Sequence, residues 1–206
     1  MPNRLGEGER LRQEILDTAA RILEESGSED ALSLRGIARE VGIAAPSIYL
    51  HFKNKADLLW TLLADAYTRL AAAMEAAGRA AEAEGADPWG QLLATSAAYR
   101  RFAVDNPGRY RLMFNVATQV SAEHRVADVD PLARLLDIWV GVIGRYLEAV
   151  SPERLEETET LGVLVWTGMH GQYTLWHALP PHYAEANEAV LAKFEHDLMR
   201  DLLRPG

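Results

Sequence analysis

The 206-residue chain contains no cysteine. This absence excludes a disulfide framework, a zinc site with thiolate ligands, a cysteine nucleophile and a thiol-based redox switch. A chain without cysteine is compatible with a reducing compartment, and we expect a cytoplasmic protein. The hydrophobic fraction is 49% and the charged fraction is 25%, which are ordinary values for a globular protein. The length is sufficient for a sizeable core in one or two domains.

Positive charge is also scarce. The chain has 21 lysine and arginine residues against 30 aspartate and glutamate residues, and its formal net charge is −9. Domains that bind nucleic acids usually carry an excess of basic residues. The overall charge therefore argues against a nucleic-acid partner unless a local region of the sequence is basic.

Long apolar runs are absent as well. The most apolar stretch, residues 160–179, is interrupted by glycine, histidine and glutamine, so we predict no membrane span and no membrane partner. Residues 1–16 have no apolar segment behind basic residues, and we expect no secretory signal.

Helical periodicity is the dominant local pattern. Apolar residues recur three and four positions apart, and strand-like alternation never extends beyond a few residues. We predict an all-α fold with an N-terminal three-helix domain at 8–68 and a C-terminal helical domain at 69–206. The predicted helices are about 9–25, 34–40, 45–50, 55–79, 88–104, 107–114, 131–149, 151–176 and 183–203, with fraying at 71–86 and a loop at 115–129.

The segment 33–58 reads SLRGIAREVGIAAPSIYLHFKNKADL. It predicts two short helices joined by a tight turn at Gly42, with Ser33 capping the first of them and Asn54 capping the long helix that follows. This spacing is the layout of a helix-turn-helix, in which the second helix enters the major groove of DNA. The apolar positions that lock the two helices together are Ile37, Ala38, Val41, Ile43 and Ile48.

The same segment carries a family signature, a glycine and a hydrophobic residue followed by Ser-x-Tyr-x-His-Phe-x-x-Lys. The residues that carry the resemblance to this family are Ser33, Ile37, Ala38, Val41, Gly42, Ser47, Tyr49, His51, Phe52, Lys55, Leu58 and Leu59. On these residues the chain resembles the TetR family of one-component bacterial regulators over about residues 9–60. A second pattern, Trp-x-x-x-His-Gly at Trp166, His170 and Gly171, is similar to the WHG-type C-terminal domain of some TetR relatives.

These resemblances imply a sequence-specific, DNA-binding transcriptional regulator and not an enzyme. They imply a repressor that a small apolar or aromatic effector releases from a double-stranded DNA operator, with no cofactor. In that mechanism the effector binds one dimer geometry better than another and shifts the population toward it.

The side chains predicted to contact DNA include aromatic rings with polar atoms and positively charged lysines. Tyr49 and His51 have polar tips suited to phosphate oxygens, and Lys53 and Lys55 lie beside a helix N-terminus, where exposed N–H groups bind anions. Residues 33–56 hold four basic residues and one acidic residue, a local net charge of +3, so we expect weak non-specific binding. The predicted contact residues are Ser33, Leu34, Arg35, Ala44, Ala45, Pro46, Ser47, Tyr49, His51, Lys53 and Lys55.

The segment has few side chains of the types that usually recognise DNA bases. Residues 44–47 contain no arginine, asparagine or glutamine. These are the side chains that form two hydrogen bonds with a single base. We expect readout through thymine methyl groups, Ser47, Arg35 and DNA shape. Phe52 is assigned to the core. Further phosphate contacts are predicted for Arg4, Arg10 and Arg12.

An effector pocket is predicted in the C-terminal domain, where Trp166, His170 and Tyr173 share one helix face. Aromatic rings with polar tips suit a mostly apolar pocket. These rings could instead only fill the core, with His170 bonded to a backbone carbonyl. His170 and His177 are roughly 10 Å apart along a helix, and we predict no metal site. The predicted pocket residues are Tyr99, Phe102, Tyr110, Met113, Phe114, Trp139, Trp166, Met169, His170 and Tyr173.

A homodimer is predicted because one short reading helix covers few base pairs. The last two long helices carry apolar stripes that would form a four-helix bundle with a second copy, although these stripes could also face the domain's own core. The predicted interface is Leu161, Leu164, Val165, Gly168 and Leu175 on one helix and Val190, Leu191, Phe194, Leu198 and Leu202 on the other.

Two other functions compete with a ligand-responsive regulator. A DNA-binding helical dimer without an effector would use all of the C-terminal aromatic residues as core. A helical-bundle enzyme or carrier could use His170 and Tyr173 for acid–base chemistry, but no nucleophile–base spacing, phosphate loop or metal motif supports it.

Overall fold

The computed structural model describes the backbone of residues 7–119, 131–178 and 188–204, with side chains from 7–113, 132–178 and 189–204. These ranges contain nine α-helices and no strand, which confirms the predicted all-α class. The helices are α1 (Glu7–Ser26), α2 (Leu34–Val41), α3 (Ala45–Ile48), α4 (Lys55–Ala83), α5 (Pro88–Asp105), α6 (Pro107–Gln119), α7 (Pro131–Val150), α8 (Thr158–Ala178) and α9 (Glu188–Leu202).

Several helix ends differ from the sequence prediction. Helix α4 continues to Ala83 through the segment where we expected fraying, because its alanines strongly favour helix. Helix α6 continues to Gln119, so residues 115–119 of the predicted loop are helical. A 3-10 turn at Pro152–Glu157 precedes α8. The rest of that loop, 120–129, and the predicted helix start at 183–187 lie outside the described residues.

Polar caps fix the short helices at the N-terminus. The Ser33 Oγ accepts a hydrogen bond from the Gly36 N–H at 3.1 Å, and Gly42 ends α2 at a φ of 80°, which favours glycine. The Asn54 Oδ1 accepts from the Asp57 N–H at 2.8 Å, while the Asp57 carboxylate accepts from the Lys53 N–H at 2.9 Å. These caps set the angle at which α3 leaves α2 and α4 begins.

The described residues divide into two compact units. Unit 1 comprises 7–66 and 106–119, with α1, α2, α3, the start of α4, and α6. Its core is apolar and includes Ile15, Ala19, Leu23, Ile37, Ile48, Phe52, Leu58 and Leu62, all at most 4% exposed.

Helix α6 is attached to α1 within unit 1 by hydrogen bonds from its first backbone amides to a side chain of α1. The Glu24 carboxylate accepts from the Gly108 N–H at 2.6 Å and the Arg109 N–H at 3.1 Å, and so caps the α6 N-terminus. A Cβ on Gly108 would lie 2.8 Å from the Glu24 backbone nitrogen and 2.9 Å from the Leu23 carbonyl carbon. Only glycine permits this approach without a shift of one helix.

Unit 2 comprises 67–105, 131–178 and 188–204, and contains the rest of α4 with α5, α7, α8 and α9. Helix α7 packs on α8 and α5, and α9 packs on α8 and α5. Gly162 brings α8 close to α7, because a Cβ there would lie 3.1 Å from Val140 Cγ2. In the described part of the chain, the helices are too short or too polar to span a membrane.

Candidate functional site

The α3 segment presents a solvent-facing surface beside a buried one. Ile48 and Phe52 are fully buried, whereas the intervening Tyr49 is 48% exposed and Leu50 is 85% exposed. Because Ile48 at the end of α3 and Phe52 just after it are both buried, the residues between them face solvent. The predicted contact residues at 33, 35, 44, 46, 49 and 53 are exposed, and those at 45, 47, 51 and 55 are partly exposed.

Two of the predicted contacts have different positions from those expected. The Leu34 side chain is 7% exposed, so it belongs to the core of unit 1 and cannot reach a base edge. The Arg12 guanidinium lies over the Phe52 ring, 4.9 Å from its centroid, and donates to the Thr61 Oγ1 at 3.4 Å. Arg12 therefore braces the turn after α3 through a cation–π contact. Arg4 lies outside the described residues.

Three of the four basic residues in segment 33–56 are exposed on this surface. The one acid of residues 33–56 is Glu40, and its carboxylate accepts a hydrogen bond from Arg21 of α1 at 2.7 Å. Arg21 is shared between Glu40 and Glu25 of α1. The exposed cations of the segment are Arg35, Arg39 and Lys53. A surface of exposed cations, a phenol and helix N-termini is suited to phosphate oxygens.

Unit 2 contains the second candidate site, a buried cluster of polar groups and aromatic rings. The Tyr99 hydroxyl and the His170 Nδ1 share a hydrogen bond of 2.9 Å, and the His170 ring stacks on Trp166 with centroids 5.3 Å apart. Burial lowers the pKa of His170 to about 4, so the ring is neutral at physiological pH. His177 pairs elsewhere, with its Nε2 2.9 Å from the Ala103 carbonyl oxygen.

The predicted pocket residues are only partly brought together. The rings of Trp139 and Tyr173 each lie 6.0 Å from that of Tyr99, and they belong to unit 2 with Phe102, Trp166, Met169 and His170. Tyr110 and Met113 are buried in unit 1. The Phe114 side chain lies outside the described residues. The sequence therefore predicted the aromatic cluster but also included α6 residues that belong to the other unit.

Sequence reasoning missed a buried carboxylate in unit 2. The Glu195 side chain is 3% exposed and accepts hydrogen bonds from Ser96, Arg100 and Tyr173. A signal was available, because Glu195 lies four residues from Leu191 and from Met199, both of which are buried. A carboxylate in the middle of such an apolar line is unusual unless it has partners.

Sequence reasoning also missed a groove in unit 2. It has a volume of about 300 Å³ and lies between α4, α5 and α7. Its buried floor includes Met74, Thr95 and Val142, and two glycines, Gly78 and Gly141, line it. Charged residues from α4 and α7 form its rim, including Glu75, Arg79, Glu82, Asp137 and Arg145.

The predicted interface residues differ in their exposure to solvent. Leu161, Val165 and Leu191 are at most 4% exposed and so belong to the core of unit 2. Gly168 faces Leu198 of the same chain, because a Cβ on this glycine would lie 2.7 Å from Leu198 Cδ2. Leu202 is partly exposed. The four that remain exposed are Leu164 (46%), Leu175 (66%), Val190 (55%) and Phe194 (41%).

Two family models match different parts of the chain. Residues 15–60 match the family model described as bacterial regulatory proteins of the tetR family. Residues 92–194 match the model of the tetracyclin repressor-like C-terminal domain. The HTH-type transcriptional regulator Rv1816 of Mycobacterium tuberculosis is 31% identical over 144 residues, which cover 69% of this chain and 57% of that protein.

Solved structures share the fold. The TetR family transcriptional regulator PfmR from Thermus thermophilus matches with a TM-score of 0.65 and 22% identity, over 93% of this chain and 97% of that one. The transcriptional regulator FadR from Bacillus subtilis, solved in complex with stearoyl-CoA, matches with a TM-score of 0.70 and 18% identity over the same shares. With two family models matched in chain order on an all-α fold, the chain belongs to the TetR family of DNA-binding transcriptional regulators.

Proposed function

We propose that the chain is a homodimeric repressor that leaves its operator when a small apolar or aromatic effector binds unit 2. The observation that carries the DNA-binding part is the exposed, positively charged α2–α3 surface on a rigid core. Ile48 and Phe52 anchor residues 44–52, here called the reading segment, and Tyr49 lies between them in solvent. Rigid support of exposed side chains is what phosphate positioning and base readout require.

Operator binding is tested in two steps. The full chain first selects the sequences that it binds from a library of random DNA duplexes, and its affinity for the selected site is then measured. In the proposed dimer, Tyr49→Ala and Lys55→Ala are each expected to weaken operator binding about 30-fold, because each of the two subunits loses a contact worth about 1 kcal/mol. Lys55→Ala should also lower the slope of log affinity against log salt by about two, since each of two subunits loses one phosphate contact. Lys193→Ala, an exposed lysine paired with Asp197 on α9, is the matched control. Unchanged affinity of the Tyr49 and Lys55 variants at moderate salt would contradict the assignment.

The dimer is supported by an apolar face on α8 and α9. Leu164, Leu175, Val190 and Phe194 are large apolar side chains that are 41–66% exposed. Gly171 lies on the same α8 face, four residues before Leu175, and has no atom within 4 Å of an added Cβ. Exposed apolar residues beside an open glycine favour the close approach of another helix.

Phe194→Glu is expected to convert the proposed dimer into a monomer at micromolar concentration, because it replaces an exposed apolar side chain of α9 by a carboxylate that the proposed interface would bury. Sedimentation velocity of the full chain measures the mass. Leu155→Glu is the matched control, since Leu155 is 43% exposed but lies on the 3-10 turn before α8. If the unmodified chain sediments as a monomer, or if both variants dissociate alike, the proposed interface is wrong.

An effector site in unit 2 is supported by an unusual donor. The Trp139 Nε1–H is fully buried and has no acceptor among the described residues. An unsatisfied buried donor costs about 1–3 kcal/mol, so a ligand with an acceptor beside an apolar body would gain affinity there. The structural neighbour FadR was solved in complex with stearoyl-CoA, which supports ligand binding by this fold.

The alternative is a DNA-binding dimer that binds no effector. It is favoured by the complete burial of Tyr99, Trp139 and Tyr173, which are 0% exposed and fill the centre of unit 2. A thermal-shift screen of the full chain against apolar and aromatic metabolites separates the two, because binding to the folded state raises the melting temperature. A ligand that raises it and also lowers operator affinity supports the effector.

A further inference from the structure

One carboxylate of α9 is hydrogen bonded to two other helices. The Glu195 Oε2 accepts from the Ser96 Oγ at 2.9 Å and from the Arg100 Nη1 at 2.6 Å, both on α5. The Glu195 Oε1 is hydrogen bonded to the Tyr173 hydroxyl of α8. These bonds join residues 22 to 99 positions apart in the sequence, so they fix the position of α9 against both neighbours.

The geometry can accommodate the carboxyl group with or without a proton. A tyrosine hydroxyl donates to a carboxylate and accepts from a carboxylic acid, so a proton on Oε1 still has a partner in Tyr173. The Arg100 Nη1 donates to Oε2, and a carboxylic acid protonated on Oε1 can still accept this hydrogen bond at Oε2. Neither state leaves the carboxyl group without a hydrogen-bond partner, which is the requirement for a switch inside a core.

We propose that Glu195, Ser96, Arg100 and Tyr173 form a proton-operated latch that holds α9 on α5 and α8 more tightly when Glu195 is protonated. The latch matters for assembly because α9 carries Val190 and Phe194 of the apolar face, and that consequence rests on the proposed dimer.

The direction of the pH response follows from burial. Burial raises the pKa of Glu195 to about 7 from an ordinary value of 4.5, and the charge of Arg100 opposes part of this rise. When α9 detaches, the carboxyl group returns to water and its pKa falls, so the detached state releases a proton. Acidification from pH 8 to pH 5.5 therefore favours the closed latch, by roughly 30-fold in the opening equilibrium.

Other titratable groups near the latch give different responses. Burial lowers the pKa of His170 to about 4. Protonation of this ring therefore favours global unfolding as the pH falls from 6.5 toward 4. This effect on stability is opposite to that of Glu195, whose protonation favours the closed state. Local opening of α9 is therefore the correct readout. The titratable and charged groups facing or flanking Glu195 are Arg100 and Tyr99 on α5, Tyr173 and His170 on α8, and His196 and Asp197 on α9.

The test is hydrogen–deuterium exchange of α9 peptides in the full chain at pH 8 and pH 5.5, corrected for intrinsic exchange rates. The opening constant of α9 should fall roughly 30-fold at the lower pH, and Glu195→Gln should abolish this change because glutamine does not titrate. Glu159→Gln, the same substitution at an exposed position of α8, should respond like the unmodified chain. An equal pH response of the unmodified chain and Glu195→Gln would overturn the latch.

A second variant covers the case in which Glu195→Gln fails to fold. Tyr173→Phe removes the donor to Oε1, so the charged carboxylate is less stabilised and the midpoint of the α9 response should move to higher pH. An unmoved midpoint would overturn the latch.

Sedimentation of the same samples separates the two proposals. A monomer at every pH with the α9 response intact overturns the dimer alone, whereas a dimer without that response overturns the latch alone.

Discussion

Replacing Gly108 by alanine is expected to lower the free energy of unfolding of unit 1 by about 2–3 kcal/mol. The added Cβ would lie 2.8 Å from the Glu24 backbone nitrogen and 2.9 Å from the Leu23 carbonyl carbon, so α6 must move away from α1. That movement also lengthens the hydrogen bonds from the α6 amides to the Glu24 carboxylate. Because the opposing atoms are backbone, no side-chain rotation relieves the contact. Urea denaturation followed by circular dichroism measures the change.

Gly141→Ala is the matched control for this substitution. Gly141 lies within α7 and is exposed, and an added Cβ would have one ordinary contact, 3.7 Å from the Arg145 guanidinium. Alanine is favoured over glycine inside a helix by about 1 kcal/mol, so this variant should be slightly stabilised. Equal effects at Gly108 and Gly141 would show that the contact between α1 and α6 is not as close as described.

Phe52→Ala is expected to cost about 3–5 kcal/mol of stability in unit 1 and to abolish operator binding at 37 °C. Phe52 is fully buried behind the exposed α3 segment, and its ring supports the Arg12 guanidinium at 4.9 Å. Truncation leaves a cavity under the reading segment and removes the cation–π contact. Phe52→Leu keeps most of the volume and should cost less than about 1.5 kcal/mol. Denaturation and operator titration of both variants provide the measurement.

The neighbouring Leu50 supplies the control. It is 85% exposed, so Leu50→Ala should change stability by less than about 0.5 kcal/mol. If the Phe52→Ala and Leu50→Ala variants had the same free energy of unfolding, Phe52 would not anchor the reading segment.

Features set by neighbouring residues could be predicted from the sequence. The Ser33 and Asn54 caps, the glycine at position 42 and the burial of Phe52 are all as expected, because each depends on residues within one or two turns. The helical class followed from periodicity for the same reason. The local net charge of residues 33–56 likewise gave a better guide to DNA binding than the −9 of the whole chain.

Features set by distant residues could not be predicted in the same way. The Glu24 cap on α6 joins residues 84 positions apart, and no local pattern shows that α6 packs with α1. Tyr110 and Met113, which were predicted together with the aromatic residues of unit 2, belong to unit 1. Apolar spacing on α8 and α9 marked a stripe, but it could not separate Leu161 and Leu191, which face the domain's own core, from Leu164 and Phe194, which face solvent. Burial of Glu195 depends on partners from two other helices.

The two units are interleaved along the chain, since residues 67–105 separate the two described segments of unit 1. A fragment that ended at Ala66 would retain every predicted DNA contact but would lack α6, leaving the Glu24 carboxylate without the amides that it caps. A transplantable reading module would have to include 106–119 as well, joined by a new linker in place of the intervening helices. In a chimera between relatives, α1 and α6 would therefore need to come from the same parent, because each is shaped to the backbone of the other.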